Sequence, residues 1–168
     1  MAIFPNVEVG DLVTADLLNS MLPLAARMTA NQSLTTSSIV LQNITELAIP
    51  VESDAIYFTY GWLRFTAGSN TPDIRLNYTY PSGASFTRAD MGVPTTTTTQ
   101  ADVVDLGVYS TGDTSRGAST GQRSVFMQGE LITGGTAGTF QVQAAQQTSS
   151  VDALTMIAGS RIMLVRFS

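Results

Sequence analysis

Apolar and polar side chains alternate with a period of two along most of the chain after residue 34, which is the pattern of β-strands with one buried face. The strongest segment covers residues 55–66, where both sets of alternate positions carry large side chains. A strand with bulk on both faces is predicted to be central in its sheet and covered on both sides. Further strands are predicted at residues 38–41, 47–51, 74–80, 103–109, 124–133, 139–146 and 161–167.

Glycine, proline and small polar residues separate these segments at regular intervals, and no helical period interrupts them. Residues 134–138 are predicted to close a hairpin. The threonine-rich residues 87–101 are predicted as a loop or an extended edge, and residues 110–122 as a long loop. About eight to ten short strands in such an order indicate a sandwich or barrel, and a jelly roll fits best. The expected fold class is therefore all-β, an antiparallel jelly-roll sandwich.

The first 34 residues follow a different pattern and are predicted as an N-terminal arm with a short helix, ahead of a β-domain at residues 35–168. Thr14 is the expected N-cap, and Pro23 ends the helix. The apolar face of this helix consists of Leu17, Leu18, Met21 and Leu22. A helix of about two turns is not stable alone, so this face must dock, either on its own domain or as an anchor or oligomer contact.

Charged residues make up only 12% of the chain, and the net charge is −5. A surface of threonine, serine, asparagine and glutamine can pack against copies of itself with little desolvation of charge, which predicts an oligomer or a part of an assembly. The negative net charge argues against nucleic-acid binding. No apolar run approaches the ~20 residues of a membrane span, so no membrane insertion is expected, and no signal peptide is expected from residues 1–5.

The chain contains no histidine, cysteine or lysine. Catalytic triads and transition-metal sites therefore lack their usual residues, whereas a glycosidase needs only two carboxylates. The acids considered for such a pair are Glu46, Glu52 and Asp54, or Asp102 with Asp105. All lie near predicted strand ends or turns, where acids are ordinary, so neither an enzyme nor a cofactor is expected. Asp113 could offer oxygens to Ca²⁺, but an Asx-type turn is the preferred interpretation, and no metal site is expected.

Two arginines, Arg64 and Arg166, fall in register with apolar neighbours on predicted strands. One interpretation is that they face inward as paired charges of an oligomer interface, with Glu130 as a partner. The other is that their stems pack on the sheet while their guanidinium groups reach solvent. The second interpretation is preferred, since a buried charge needs a partner.

Three parts of the sequence resemble structural proteins of tailed bacteriophages. Residues 10–19 resemble the N-terminal lead of many such proteins. Residues 71–76 and 81–84 look like part of a small β-domain common in phages of actinobacteria, and residues 138–162 are similar to its closing strands. The resemblance spans most of residues 29–168, through short motifs.

The resemblance implies a virion accessory protein, made in the host cytoplasm and placed on the particle surface as a jelly-roll homotrimer. In one role it is a capsid decoration (cement) protein, whose residues 1–34 bind the major capsid protein and stabilise the shell. In the other it is a minor tail protein, an appendage of the tail or baseplate, whose loops at 87–101 and 110–122 contact the host cell. The scarcity of aromatic residues in both loops favours decoration, since sugar-binding surfaces usually need an aromatic platform.

Overall fold

The computed structural model describes Leu12, Thr14, residues 22–95 and residues 105–167, and every regular element in these parts is a β-strand. The strands are β1 (Leu24–Arg27), β2 (Gln32–Ser33), β3 (Gln42–Val51), β4 (Ile56–Ala67), β5 (Ile74–Thr79), β6 (Ser85–Gly92), β7 (Asp105–Tyr109), β8 (Thr114–Arg116), β9 (Arg123–Ile132), β10 (Gly138–Gln146), β11 (Leu154–Met156) and β12 (Arg161–Arg166).

The strands form two antiparallel sheets. The larger sheet has the order β1-β12-β4-β9-β6-β7, with β11 paired to β4 and β2 paired to β11, and the smaller sheet has the order β3-β10-β5-β8. The eight consecutive strands β3 to β10 are thus arranged as β3-β10-β5-β8 facing β4-β9-β6-β7, which is the doubly wound Greek-key order of a jelly roll. The all-β fold class predicted from the sequence is confirmed.

The core lies between the two sheets and is built from their inward-facing alternate positions. On β4 these include Tyr57, Leu63 and Phe65, all essentially inaccessible to solvent. The ring of Phe140 on β10 lies 5.0 Å from that of Phe86 on β6 and 5.8 Å from that of Tyr78 on β5, measured between centroids. Each large apolar side chain buried in this way contributes about 1.5–3 kcal/mol, so the aromatic cluster is a main attachment between the sheets.

The described part of the N-terminal arm adds two strands to the larger sheet. Strand β1 pairs with β12, and β2 pairs with β11. Met28 and Leu34 are buried in the core. Leu22, one of the four predicted helix-face residues, is 63% exposed, whereas Leu17, Leu18 and Met21 lie outside the described residues together with the predicted helix, which stays a prediction.

Three predicted segments differ from the structure. Residues 38–41 form no strand; a turn with a positive φ at Ser37 precedes them, and Val40 is exposed. The ladder begins instead at the polar Gln42, which pairs with Ala144. The predicted loop at 87–101 begins within β6, and the predicted loop at 110–122 contains β8. After the buried Phe86, the inward positions of β6 are Arg88 and Asp90, and those of β8 are Thr114 and Arg116, so no hydrophobic alternation marks these strands.

Candidate functional site

The outer face of the larger sheet, meaning the outward side chains of β12, β4, β9, β6 and β7, is unusually apolar. Along β4 the inward positions from Tyr57 to Phe65 are buried, as expected for a strand on a core. The outward positions are Ile56, Phe58, Tyr60, Trp62 and Arg64, and they remain partly accessible. Strand β4 is central in its sheet, as predicted, but the prediction that both faces are covered is wrong for the described part of the chain, because Tyr60 is 39% exposed.

Strand register aligns the outward side chains in three rows across the sheet. The arginine row contains Arg161, Trp62, Phe126, Met91 and Leu106; the central row contains Met163, Tyr60, Gln128, Ala89 and Val108; the glutamate row contains Val165, Phe58, Glu130 and Thr87. Exposure is highest on β7, where Leu106 is 62% and Val108 is 72% accessible. The outer face is therefore a continuous apolar surface rather than a scatter of single residues.

The smaller sheet has an outer face of the opposite character. Most of its outward positions are polar, and Ala48 and Pro50 on β3 are the apolar exceptions; the polar ones include Asn43, Thr45, Arg75, Asn77, Thr79, Thr139, Gln141 and Gln143. A sandwich that stays alone in water is expected to be polar on both outer faces, because each of them meets solvent. Only one of the two sheets follows that rule here, so the apolar outer face of the larger sheet requires another explanation.

The outer face has the dimensions of a protein interface. Five strands spaced by ~4.8 Å and the stretch from Ile56 to Arg64 at ~3.4 Å per residue give a projected area of roughly 24 by 27 Å, or about 650 Å². Each partner in a standard interface contributes about 800 Å² of accessible surface, and a surface textured by side chains exceeds its projection. A groove lined by Met91, Leu106 and Phe126 gives this face a depression into which a partner's side chains can insert.

Trp62 is held in place by its neighbours in the arginine row. Its ring lies nearly parallel to that of Phe126 at a centroid distance of 6.1 Å. The guanidinium carbons of Arg161 and Arg64 lie 4.8 Å and 5.3 Å from the Trp62 ring centre. Arg64 is itself anchored, because it donates to the carbonyl of Ala158 at 3.1 Å. Tryptophan and arginine are the residue types that contribute most to binding at protein interfaces, and here they are pre-positioned.

A buried polar cluster lies beneath one side of this face. The carboxylate of Asp90 on β6 accepts hydrogen bonds from Arg88 Nε at 3.0 Å and from Thr114 Oγ1 at 2.9 Å. Arg88 also lies over the Tyr78 ring at 4.6 Å, and Arg116 donates to the Asp90 carbonyl at 2.5 Å. Burial, with the Asp90 charge in addition, raises the pKa of Tyr78 well above its usual value, so its hydroxyl stays protonated and can donate. This cluster attaches β8 to the sandwich.

Two of the acids considered from the sequence, Glu46 and Glu52, are engaged in structural contacts. Glu46 accepts hydrogen bonds from Thr29 and Ala30. Glu52 pairs with Arg166. The partner of Arg166 is therefore Glu52 and not Glu130, the acid considered for it in the sequence analysis. Asp54 occupies a turn with a positive φ of 50°.

Among the remaining candidates for a carboxylate pair or a Ca²⁺ site, the structure describes the side chain of Asp113. Asp113 pairs with Arg75, and Thr114 beside it is buried against Asp90. Asp102 and the side chain of Asp105 lie outside the described residues. Among the described residues no three acidic side chains lie close enough to hold a metal ion, and no helix there could span a membrane.

Neither a protein-family model nor a curated protein matches the chain. Among solved structures, a structure of infectious bursal disease virus Gx strain aligns with 86% of this chain and 35% of its own, at 10% identity and a TM-score of 0.22. The infectious bursal disease virus VP2 subviral particle aligns with 86% and 39%, at 9% identity and a TM-score of 0.20. The chain thus spans little more than a third of these solved chains, and TM-scores this low assign it to no family.

Proposed function

We propose that this protein is a non-catalytic structural protein of a virion, and specifically a homotrimeric decoration (cement) protein that binds the outer surface of a capsid and stabilises it. The observation that carries the proposal is the difference between the two sheets: a polar outer face on the smaller one and a continuous apolar outer face on the larger one. An apolar face of this size is expected to be covered in the working protein, and copies of the same chain are the partner always present with it.

The virion context comes from the sequence. Residues 10–19 and 138–162 resemble phage structural proteins, and the low charge content suits packing among many identical subunits. The outer face joins three copies, and each copy contributes one N-terminal segment for contact with the capsid protein. Three weak attachments on one rigid body act at a high effective concentration, so their combined affinity exceeds that of any single arm.

The first experiment is to measure the mass of the purified chain in solution across a range of concentrations. The expected mass is that of a trimer of 17.8 kDa chains. A protein that stays monomeric at the highest soluble concentration would contradict self-assembly.

The second experiment asks where the protein binds and which segment it uses. We expect it to bind emptied capsids that lack it and to raise their resistance to heat. A version lacking residues 1–21 should fold and trimerise but bind the shell at least tenfold more weakly. The deletion must end there, because Met28 and Leu34 belong to the core. Antibody labelling on whole particles that marks only the tail would contradict decoration and indicate a tail or baseplate appendage.

A further inference from the structure

Charges on the outer face of the larger sheet are sorted to opposite ends of it. Arg161 and Arg64 flank Trp62 at one end, and Arg27 on β1 extends the arginine row because it pairs with Arg161. Glu130 is exposed in the glutamate row, between Phe58 and Thr87. Phe126 and Glu130 lie four positions apart on β9, so the two rows are separated by about 14 Å. The face therefore has a positive end, an apolar centre and a negative end.

These charges have no opposite partner inside the described part of their own chain. The ion pairs found there join Arg75 to Asp113, Arg88 to Asp90 and Arg166 to Glu52. Neither the three arginines at the positive end nor Glu130 belongs to one of these pairs. Charges left at the border of an apolar patch are costly to cover unless the covering surface supplies the opposite charge, so they restrict which partner fits.

We infer that the occupant of this face is a second copy of the same chain, placed so that Glu130 of one copy lies against Arg161 and Arg64 of its neighbour. The inference rests on the proposed self-assembly and specifies its geometry. If the strands of the outer face lie roughly perpendicular to a threefold axis, the positive end of each face meets the negative end of the next copy's face. Three identical contacts then close the ring. Strands parallel to the axis would bring like ends together, which is repulsive.

Charge reversal at the two ends tests this geometry. Glu130→Arg and Arg161→Glu should each weaken trimerisation at least tenfold, as measured by mass against concentration, because each places like charges in contact. The double variant E130R/R161E should recover to within about threefold of the original protein. Thr139→Arg, on the polar smaller sheet, is the control and should leave the mass unchanged. Both altered positions are exposed, so each variant is expected to keep its fold, which its circular dichroism spectrum checks.

Mixing the two single variants distinguishes a ring of three from a pair. In a pair, one E130R chain and one R161E chain satisfy both contacts, so the mixture should assemble fully. In a ring of three, at least one contact stays mismatched, and assembly should recover only in part. Full recovery as a two-chain particle would overturn the threefold arrangement.

A second measurement, disulfide cross-linking, reports which positions of neighbouring copies lie close together. The chain has no cysteine, so E130C/R161C introduces the only two thiols. Within one chain these positions lie two strands and four residues apart, roughly 17 Å, which is beyond the ~7 Å between Cα atoms that a disulfide can bridge. Mild oxidation should therefore link copies into covalent dimers and trimers, whereas E130C/T139C should not form them.

The outcomes separate the inference from the proposed function. If the original protein is a trimer but the double charge variant stays as weak as the single ones, or the thiol pair gives no covalent oligomer, the face is used differently and the inference fails alone. If the original protein is monomeric and binds capsids, or vesicles of neutral lipid, through the same face, then both the inference and the proposed self-assembly fail.

Discussion

At the scale of single residues, Glu46 shows how an acid that looks available for catalysis can be a structural acceptor. Its carboxylate receives hydrogen bonds from the Thr29 hydroxyl at 2.5 Å, the Thr29 amide at 3.0 and 3.1 Å, and the Ala30 amide at 3.2 Å. These bonds lower the pKa of Glu46, the Thr29 hydroxyl first among them. The contact spans 17 residues and fixes the turn between β1 and β2, which is why sequence inspection cannot find it.

The lowered pKa of Glu46 makes its contribution to stability depend on pH in a definite direction. A carboxylate whose pKa falls on folding stabilises the fold fully above its unfolded value of about 4.5, and this stabilisation is lost as pH falls through the lower folded value. We expect Glu46→Gln to melt at a lower temperature than the original protein at pH 7, with the difference shrinking below pH 4. Thermal melts at several pH values measure this, with Glu52→Gln, which removes an exposed pair with Arg166, as the control.

At the scale of elements, the two strands that the sequence assigned to loops, β6 and β8, carry charged or polar side chains at inward positions. The short strands β1, β2 and β11, of two to four residues, are too short to show a period. Arg88 is 3% exposed and Asp90 is not exposed at all, yet both face the core from β6. Hydrophobic periodicity identifies strands by their apolar face, so a strand that buries an ion pair is read as a loop. By contrast, β4, β9, β10 and β12 bury apolar side chains and were predicted close to their observed bounds. The segment at 38–41 failed in the other direction, because it is apolar but has no strand partner.

The Asp90 cluster is expected to be the most sensitive polar feature of the sandwich. Asp90→Ala leaves the buried Arg88 without its ion-pair partner, which costs about 3–5 kcal/mol. For a chain of this size that lowers the melting temperature by roughly 6–20 °C. Asp113→Ala removes a partly exposed pair with Arg75 and should cost less than about 1 kcal/mol. Calorimetry on both variants checks this. Equal losses of stability would mean that the buried ion pair stabilises the fold no more than the partly exposed one.

At the scale of the whole molecule, the jelly roll and its strand alternation were accessible from the sequence, but the unequal faces were not. The period of two shows that successive side chains point to opposite faces of a strand. It does not show whether the outward-facing side chains contact water, another sheet or another chain. For β4 the outward aromatic residues suggested a covering layer, and the described structure leaves them partly exposed. The apolar outer face is thus visible in the sequence pattern, which predicts a second buried face there, while the short N-terminal helix is the contact that the sequence predicts.

The centre of the outer face offers the most direct test of self-assembly. Tyr60→Arg places a charge in the middle of the apolar central row, where a neighbouring copy would have to bury it. We expect at least roughly 30-fold weaker self-association, since central aromatic positions of an interface contribute about 2 kcal/mol or more. The matched control is Thr79→Arg on the smaller sheet, which should assemble normally. Equal masses for both variants would show that the outer face of the larger sheet is not the contact.

The polar outer side of the smaller sheet has its own consequence once copies have joined. Its exposed side chains are mostly hydroxyl and carboxamide groups, with Arg75 already paired to Asp113. Hydration of such groups does not change with proton concentration and is little affected by dissolved ions, unlike that of a charged coat. An assembly covered in this way would stay dispersed because of its bound water rather than through electrical repulsion, over a wide range of pH and salt concentration.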